Sequence, residues 1–171
     1  MIKIKFAKTN KNAVIPSKRD EDAGYDIFAC FEDQYLVIEP GETTKIPTGI
    51  ASIIPLDYCF VLKERGSTGS AGIGQRAGII DSGFRNEWQV LVTNHNSRAI
   101  IIAKKGFRDT DQYKNILGSR DFLEYAYEKA ICQALLIPVP ESEVEEIGYD
   151  QLVLEKSERM LDGFGSTNKV E

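Results

Sequence analysis

Five stretches of this chain combine residue types that suit an anionic, ring-bearing ligand. The fullest is Arg159 followed by Gly163-Phe164-Gly165-Ser166-Thr167. Its two glycines leave the backbone too free to order alone. Its ring suits stacking on a flat base, while the guanidinium and hydroxyls suit phosphate oxygens. Such a segment is fitted to order on a nucleotide. The second stretch, Arg65-Gly66-Ser67-Thr68-Gly69-Ser70-Ala71-Gly72, joins a cation to hydroxyls and backbone N–H groups. It reads as a flexible hairpin loop or as an anion nest. It is not a Walker loop, because the Gly-Lys-Ser/Thr ending and the following helix are missing.

The third stretch runs from Gln75 to Trp88 and contains Gly78-Ile79-Ile80-Asp81-Ser82-Gly83-Phe84-Arg85. Gly78 and Gly83 allow tight turns, so residues 77–88 are expected to form a hairpin that grips a ligand with its backbone. Asp81 follows two apolar residues. It either caps its own backbone in an Asp-Ser-Gly turn or, partly desolvated, takes a proton from an attacking water. Asp26, within Ala23-Gly24-Tyr25-Asp26-Ile27-Phe28, is a carboxylate in an apolar strand. It faces solvent at an edge or serves as an oxygen ligand near a hard cation. Gln133, in Ile131-Cys132-Gln133-Ala134-Leu135, is an amide that needs partners if buried.

The elements that must position these groups are short. Apolar or alternating runs at 2–6, 35–38, 43–46, 50–54, 58–63, 88–93, 99–103 and 131–139 are bounded by Gly, Pro, Asp and Asn. Many short strands at this spacing predict an all-β protein, a jelly roll or β-barrel. Residues 106–128 break the rhythm. Phe122, Tyr125 and Ala126 stand at helical spacing within 121–130, which predicts a short helix or an irregular excursion. Residues 141–158 read as an acidic connector with a strand at 152–154. The expected organisation is one β domain over 1–158 and a flexible arm over 159–171.

At 171 residues, 42% hydrophobic and 27% charged, the chain reads as an ordinary globular domain. A net charge of -5 argues against a general nucleic-acid or membrane binder, since phosphate backbones recruit positive surfaces. No apolar run reaches the roughly 18 residues of a membrane helix. Cys30, Cys59 and Cys132 lie in apolar stretches, so buried reduced thiols and a cytoplasmic setting are expected. Their spacing does not suit zinc, and the single histidine, His95, sits in a turn composition.

In order along the chain, Ala-Gly-Tyr-Asp, Arg-Gly-Ser, Gly-Ile-Ile-Asp-Ser-Gly-Phe-Arg, Ile-Cys-Gln-Ala-Leu and Arg-(three residues)-Gly-Phe-Gly-Ser-Thr resemble the five motifs of the trimeric dUTP diphosphatases (dUTPases). The resemblance spans 23–167. It implies a distorted jelly roll, a homotrimer with shared active sites, and Mg²⁺-assisted hydrolysis of dUTP to dUMP and pyrophosphate. Carried over, Asp81 activates the water that attacks the α-phosphorus. Backbone groups around 75–84, Gly78 and Ile80 among them, read the uracil edge, and the Gln75 amide lies near the nucleotide. Phe84 packs under the deoxyribose. Arg65, Ser67, Thr68, Gln133, Arg159, Ser166 and Thr167 hold the triphosphate, and Asp26 supports the metal through water. Phe164, with Gly165 beside it, stacks on uracil in a neighbouring subunit's site.

The chain departs from the family pattern in places. Gly66 stands where a serine is usual, Phe84 where a tyrosine is usual, and Asn86 where a glycine is common. Ala130 takes the place of a basic residue. The loop from Arg65 to Asp81 is short. Residues 106–128 look inserted, where some phage-encoded members also carry extra residues. Either they cover the barrel or a subunit interface, or they bind a protein partner in a regulatory role. A dCTP deaminase, which shares the fold, requires a glutamate on the strand after the hairpin, and Gln89-Val90-Leu91-Val92 has none.

Overall fold

Runs that alternate or stay apolar, each cut by a turn residue, become the strands. A computed structural model describes residues 2–157 and 161. The chain divides into two units, Met1–Pro140 and Glu141–Glu171. In the first, β1 (Lys5–Lys8), β2 (Gly24–Phe28), β3 (Tyr35–Ile38), β4 (Thr43–Pro47), β5 (Ile50–Ile53) and β6 (Tyr58–Lys63) precede a one-turn helix, α1 (Gly66–Ser70). Then come β7 (Ile73–Arg76), β8 (Ile79–Ile80), β9 (Gln89–Asn94), β10 (Ala99–Ala103), α2 (Lys105–Arg108), α3 (Asp111–Ser119), β11 (Phe122–Ala126) and β12 (Ala130–Pro138). The second unit's described element is α4 (Tyr149–Leu152). Among the described residues no helix is long and apolar enough to cross a membrane.

Four small sheets, in the orders β1-β5, β11-β10-β3, β2-β12-β6-β8 and β4-β9-β7, enclose a main core, with a second, smaller cluster on the outer face of β10. This is the all-β, jelly-roll arrangement that the strand spacing predicts. Val90 and Val92 of β9 and Ile46 of β4 point inward, with Trp88 and Phe60 the largest fully buried side chains. The Trp88 ring lies edge-on to Phe60 at 5.2 Å and to Phe6 at 5.5 Å. Its indole N–H donates to the Ser52 hydroxyl at 3.2 Å, so the buried donor is satisfied. Cys30, Cys59 and Cys132 are all buried and free, and His95 is exposed.

β10 explains the segment that interrupts the strand rhythm. All five of its residues are buried. Ile100 and Ile102 face the main core, while Ile101 and Ala103 face outward and need a cover. Phe107 of α2 and Tyr113 of α3 supply it, with Tyr35 stacked on Phe107 at 5.1 Å. Burying side chains of this size contributes roughly 1.5–3 kcal/mol each. Thr110 caps α3, its hydroxyl accepting the Tyr113 N–H at 3.2 Å.

Several local expectations are corrected. The helix falls at Asp111–Ser119 rather than within 121–130, and Phe122–Ala126 is a strand parallel to β10. Its true period is two: Leu123 and Tyr125 enter the main core, whereas Phe122 packs under α3. The strand expected at 152–154 is replaced by α4 over Tyr149–Leu152. Residues 66–70, read as a loop, form the helix α1. The hairpin expected over 77–88 does not pair with itself. β7 pairs with β9 and β8 with β6, because Ala77 and Gly78, both at positive φ, carry the chain from one sheet to another.

Candidate active site

One of the two inner strands of the four-stranded sheet, β12, aligns three of the sequence segments. Gln133 of β12 is opposite Asp26 of β2 on one side and Lys63 of β6 on the other. Arg65 follows two residues after Lys63, at the start of α1. Asp26, Arg65, Gly66, Ser67 and Gln133 therefore line one cavity of about 760 Å³. Sheet register, rather than proximity in sequence, assembles it.

Asp26, Arg65 and Gln133 are each held by a partner. Arg65 Nε meets Asp26 Oδ1 at 3.0 Å, both side chains partly exposed to the cavity. The Gln133 side chain lies across Gly24, where an added Cβ would fall 2.6 Å from its Oε1. Gln133 Nε2 donates to the Glu64 carbonyl at 2.8 Å. The Glu64 carboxylate in turn accepts the Gln75 N–H at 2.8 Å, which ties the second segment to the third. Hydrogen bonds from its own N–H and from Gln75, with help from Lys63, hold that carboxyl below its ordinary range. Behind the cavity, burial and the charges of Asp26 and Glu64 push the Cys132 thiol up to about 12.

Thr68 does not reach the cavity with its hydroxyl. It is fully buried, and its Oγ1 accepts the Arg65 N–H at 2.9 Å and donates to the Arg65 carbonyl at 3.0 Å. This closes the first turn of α1, so Ser67, exposed on the helix, is the hydroxyl left facing the cavity. Gly66 has open space around it: a Cβ there meets nothing within 4 Å.

The third segment lies elsewhere on the chain. Gln75, Gly78, Ile80, Asp81 and Phe84 do not line this cavity. Gln75 Nε2 donates to the Arg76 carbonyl at 2.9 Å, and its buried Oε1 has no hydrogen-bond partner. Gly78, at φ +106, lets its carbonyl accept the Leu62 N–H at 2.8 Å. Ile80 is buried, whereas Ile79 is 67% and Phe84 40% exposed. Asp81 is exposed rather than partly desolvated. The turn is closed by the Phe84 N–H on the Asp81 backbone carbonyl, at 3.0 Å, with no capping bond from the carboxylate. Arg159, Phe164, Gly165, Ser166 and Thr167 lie outside the described residues.

Four cavity residues escaped the sequence reading: Ser17, Lys18, Arg19 and Asp22. The signal was present, a charged run immediately before Ala23-Gly24-Tyr25-Asp26. Lys18 Nζ donates to the Asp22 carbonyl at 2.7 Å, and Arg19 pairs with Asp22 at 2.9 Å. Among the described residues no three His, Cys, Asp or Glu side chains cluster as a cation cage.

The fold and the cavity define an all-β protein whose polar cavity, lined by Lys18, Arg19 and Arg65 and by Asp22 and Asp26, lies beside a glycine-rich helical turn. Comparison with known proteins narrows the class. The dUTPase family model matches residues 10–108. The deoxyuridine 5'-triphosphate nucleotidohydrolase of Nautilia profundicola is 33% identical over 172 residues, covering 98% of this chain and 100% of that protein. A variant dUTPase of Staphylococcus bacteriophage 80alpha, solved with dUpNHpp, superposes with a TM-score of 0.72 at 21% identity, covering 96% of this chain and 97% of that one. A dUTPase from phage phi11 of S. aureus, whose structure describes a structural Mg(II) ion, superposes at 0.63 and 22% identity over 85% and 96%. The chain belongs to the dUTPase family.

Proposed function

We propose that this chain hydrolyses dUTP to dUMP and pyrophosphate. The observation that carries the reading is the convergence of Asp26, Arg65, Ser67 and Gln133 on one cavity, in a chain that matches a deoxyuridine 5'-triphosphate nucleotidohydrolase over its whole length. Arg65, Ser67 and the Gln133 amide bind triphosphate oxygens there, with Lys18 and Arg19 at the rim. Water adds to the α-phosphorus, the bond to the α,β-bridging oxygen breaks, and pyrophosphate leaves. Asp81 orients that water and takes its proton. Its carboxylate makes no hydrogen bond within the described chain that would compete for this role.

Because Asp81 and Phe84 stand apart from the cavity and exposed, a second subunit brings them to it, in a homotrimer with shared sites. The exposed Ile79, Leu56 and Ile53 supply apolar surface for such an assembly. The backbone around Gly78 and Ile80 and the Gln75 amide read uracil, and Phe84 selects the sugar. The arm from Arg159 through Phe164, Gly165, Ser166 and Thr167 closes the site.

Mg²⁺ fits the cavity as a substrate-borne ion. Asp26 spends Oδ1 on Arg65 and Asp22 pairs with Arg19, which suits support of the ion's water shell, not a protein cage. When bound, the ion neutralises charge on the phosphates. The segment at 106–128 serves as the cover of β10, in keeping with its buried Phe107 and Tyr113. Deamination of dCTP is disfavoured because β9, Gln89–Asn94, carries no carboxylate.

The deciding experiment is pyrophosphate release from dUTP, UTP, dTTP and dCTP, with and without Mg²⁺. The reading requires release from dUTP far above the others and loss of it in chelator. Equal rates on all four would sink it.

A further inference from the structure

Glu64 stands at the joint where the cavity wall is assembled, although it does not line the cavity itself. β6 ends at Lys63 and α1 begins at Gly66, so Glu64 lies outside both the strand ladder and the helix. Two groups of the cavity depend on where its backbone sits. Its carbonyl accepts the Gln133 Nε2 at 2.8 Å, which sets that amide on the wall. The next residue is Arg65, whose Nε meets Asp26 Oδ1 at 3.0 Å.

The Glu64 side chain holds this joint. β7 is an edge strand of its sheet, and a backbone N–H on a free edge needs a partner. Glu64 Oε1 accepts the Gln75 N–H at 2.8 Å, in the place a neighbouring strand would take. The anchor is firm: Gln75 is opposite Val92 of β9, and the Leu62 N–H meets the Gly78 carbonyl at 2.8 Å. A Cβ on Gly69 would fall 3.4 Å from the Glu64 Cβ, so α1 lies along the same stem. Oε2 faces Lys63 Nζ at 3.3 Å, but the lysine is 56% exposed and such a pair contributes little.

We infer that Glu64 is a positioning residue, whose carboxylate, fixed on the Gln75 N–H, holds the β6–α1 joint so that Gln133 and Arg65 share one cavity wall. The identity of the bound anion as the triphosphate of dUTP rests on the function proposed above. The device itself is read with inorganic tripolyphosphate. Charge and reach give opposite expectations at this position. A carboxylate acting through charge alone repels an anion, so its removal would tighten binding. A carboxylate acting through its hydrogen bond keeps the wall in place, so loss of that bond weakens binding.

The test is calorimetric titration of the full chain with tripolyphosphate, comparing Glu64→Gln, Glu64→Asp and Glu64→Ala. Glu64→Gln keeps an acceptor oxygen at the same reach, and its affinity stays within about twofold of the parent. Glu64→Asp keeps the charge one methylene short of Gln75, and Glu64→Ala loses both charge and acceptor. Each of these two weakens binding about tenfold. A merely structural Glu64 would lower the melting temperature and leave the affinity of the folded protein unchanged. Equal affinities in all three variants, tighter binding by Glu64→Ala, a loss in Glu64→Gln as large as in Glu64→Ala, or no binding by the unsubstituted protein would overturn the inference. Should Glu64→Ala not fold, the comparison of Glu64→Gln with Glu64→Asp decides. Turnover of dUTP by the unsubstituted protein judges the proposed function separately.

Discussion

Gly24 and Gln133 occupy the same space across β2 and β12, because the glutamine side chain lies where a Cβ of residue 24 would be. The added carbon would fall 2.6 Å from Oε1 and 3.0 Å from the Gln133 Cβ. Gly24→Ala must therefore dislodge the amide from the Glu64 carbonyl. The expected cost is about 1–3 kcal/mol in folding from overpacking. Activity on dUTP falls about tenfold as the amide leaves the cavity wall. Denaturant unfolding and steady-state kinetics check the two effects, and Gln133→Ala in the same background should relieve the folding cost.

Gly66 presents the opposite geometry. A Cβ there is unobstructed, and the residue begins α1 at the cavity wall. Gly66→Ser should fold at least as well, since a glycine in a helix costs up to about 1 kcal/mol. Its new hydroxyl gains a phosphate contact, lowering KM for dUTP about three- to tenfold. An unchanged KM would place the phosphates away from this turn.

Asp81→Asn keeps the size of the side chain and removes the base. Turnover should fall by roughly 10²–10⁴-fold. Binding of a non-hydrolysable dUTP analogue should stay within about threefold of the unsubstituted protein. The measurement is single-turnover hydrolysis beside analogue titration, and retained turnover would move the base elsewhere.

Phe84, 40% exposed in the single chain, is the proposed sugar gate. Phe84→Ala should raise the ratio of UTP to dUTP hydrolysis about tenfold by opening room for a 2′-hydroxyl. Competition between the two substrates reads the ratio directly.

Alkaline pH should unfold this protein through its buried acids. Burial first, then Asp26 and Glu64, raise the Cys132 thiol from an ordinary 9.0 to about 12. Burial likewise raises Cys30, Tyr125 and Tyr127. The folded protein holds these protons more tightly than the unfolded chain does. Their contribution is thus full below the unfolded values and is lost as pH rises through the folded ones. For Cys132 that window runs from 9.0 to about 12, with a slope on the order of 1 kcal/mol per pH unit. Urea unfolding from about pH 8 to about pH 10.5 should show a shallower decline in Cys132→Ala than in the parent.

Several of the strands were legible in the residue pattern. Strands β3, β6 and β10 fall where their apolar runs do, because side-chain alternation and turn residues are local properties. The identities of Asp26, Arg65, Asp81 and Gln133 as unusual polar groups were equally legible, since a charged or amide group in an apolar setting stands out by composition alone. The helix at 111–119 and strand at 122–126 were not. Phe122, Tyr125 and Ala126 satisfy a helical spacing and a strand spacing alike, and only the outward face of β10 decides between them.

Chain order and residue type by themselves determined an all-β domain with five polar segments and the family that those segments resemble. Only tertiary structure decided which segments meet. Register across β12 sets Gln133 between Asp26 and Lys63, and so brings Arg65 to the same cavity. The same packing spends the Thr68 hydroxyl on a helix turn and leaves Asp81 and Phe84 apart from that cavity. Hydrogen-bond register and burial are non-local quantities, set by what lies on the far side of each strand, and no spacing along the chain encodes them.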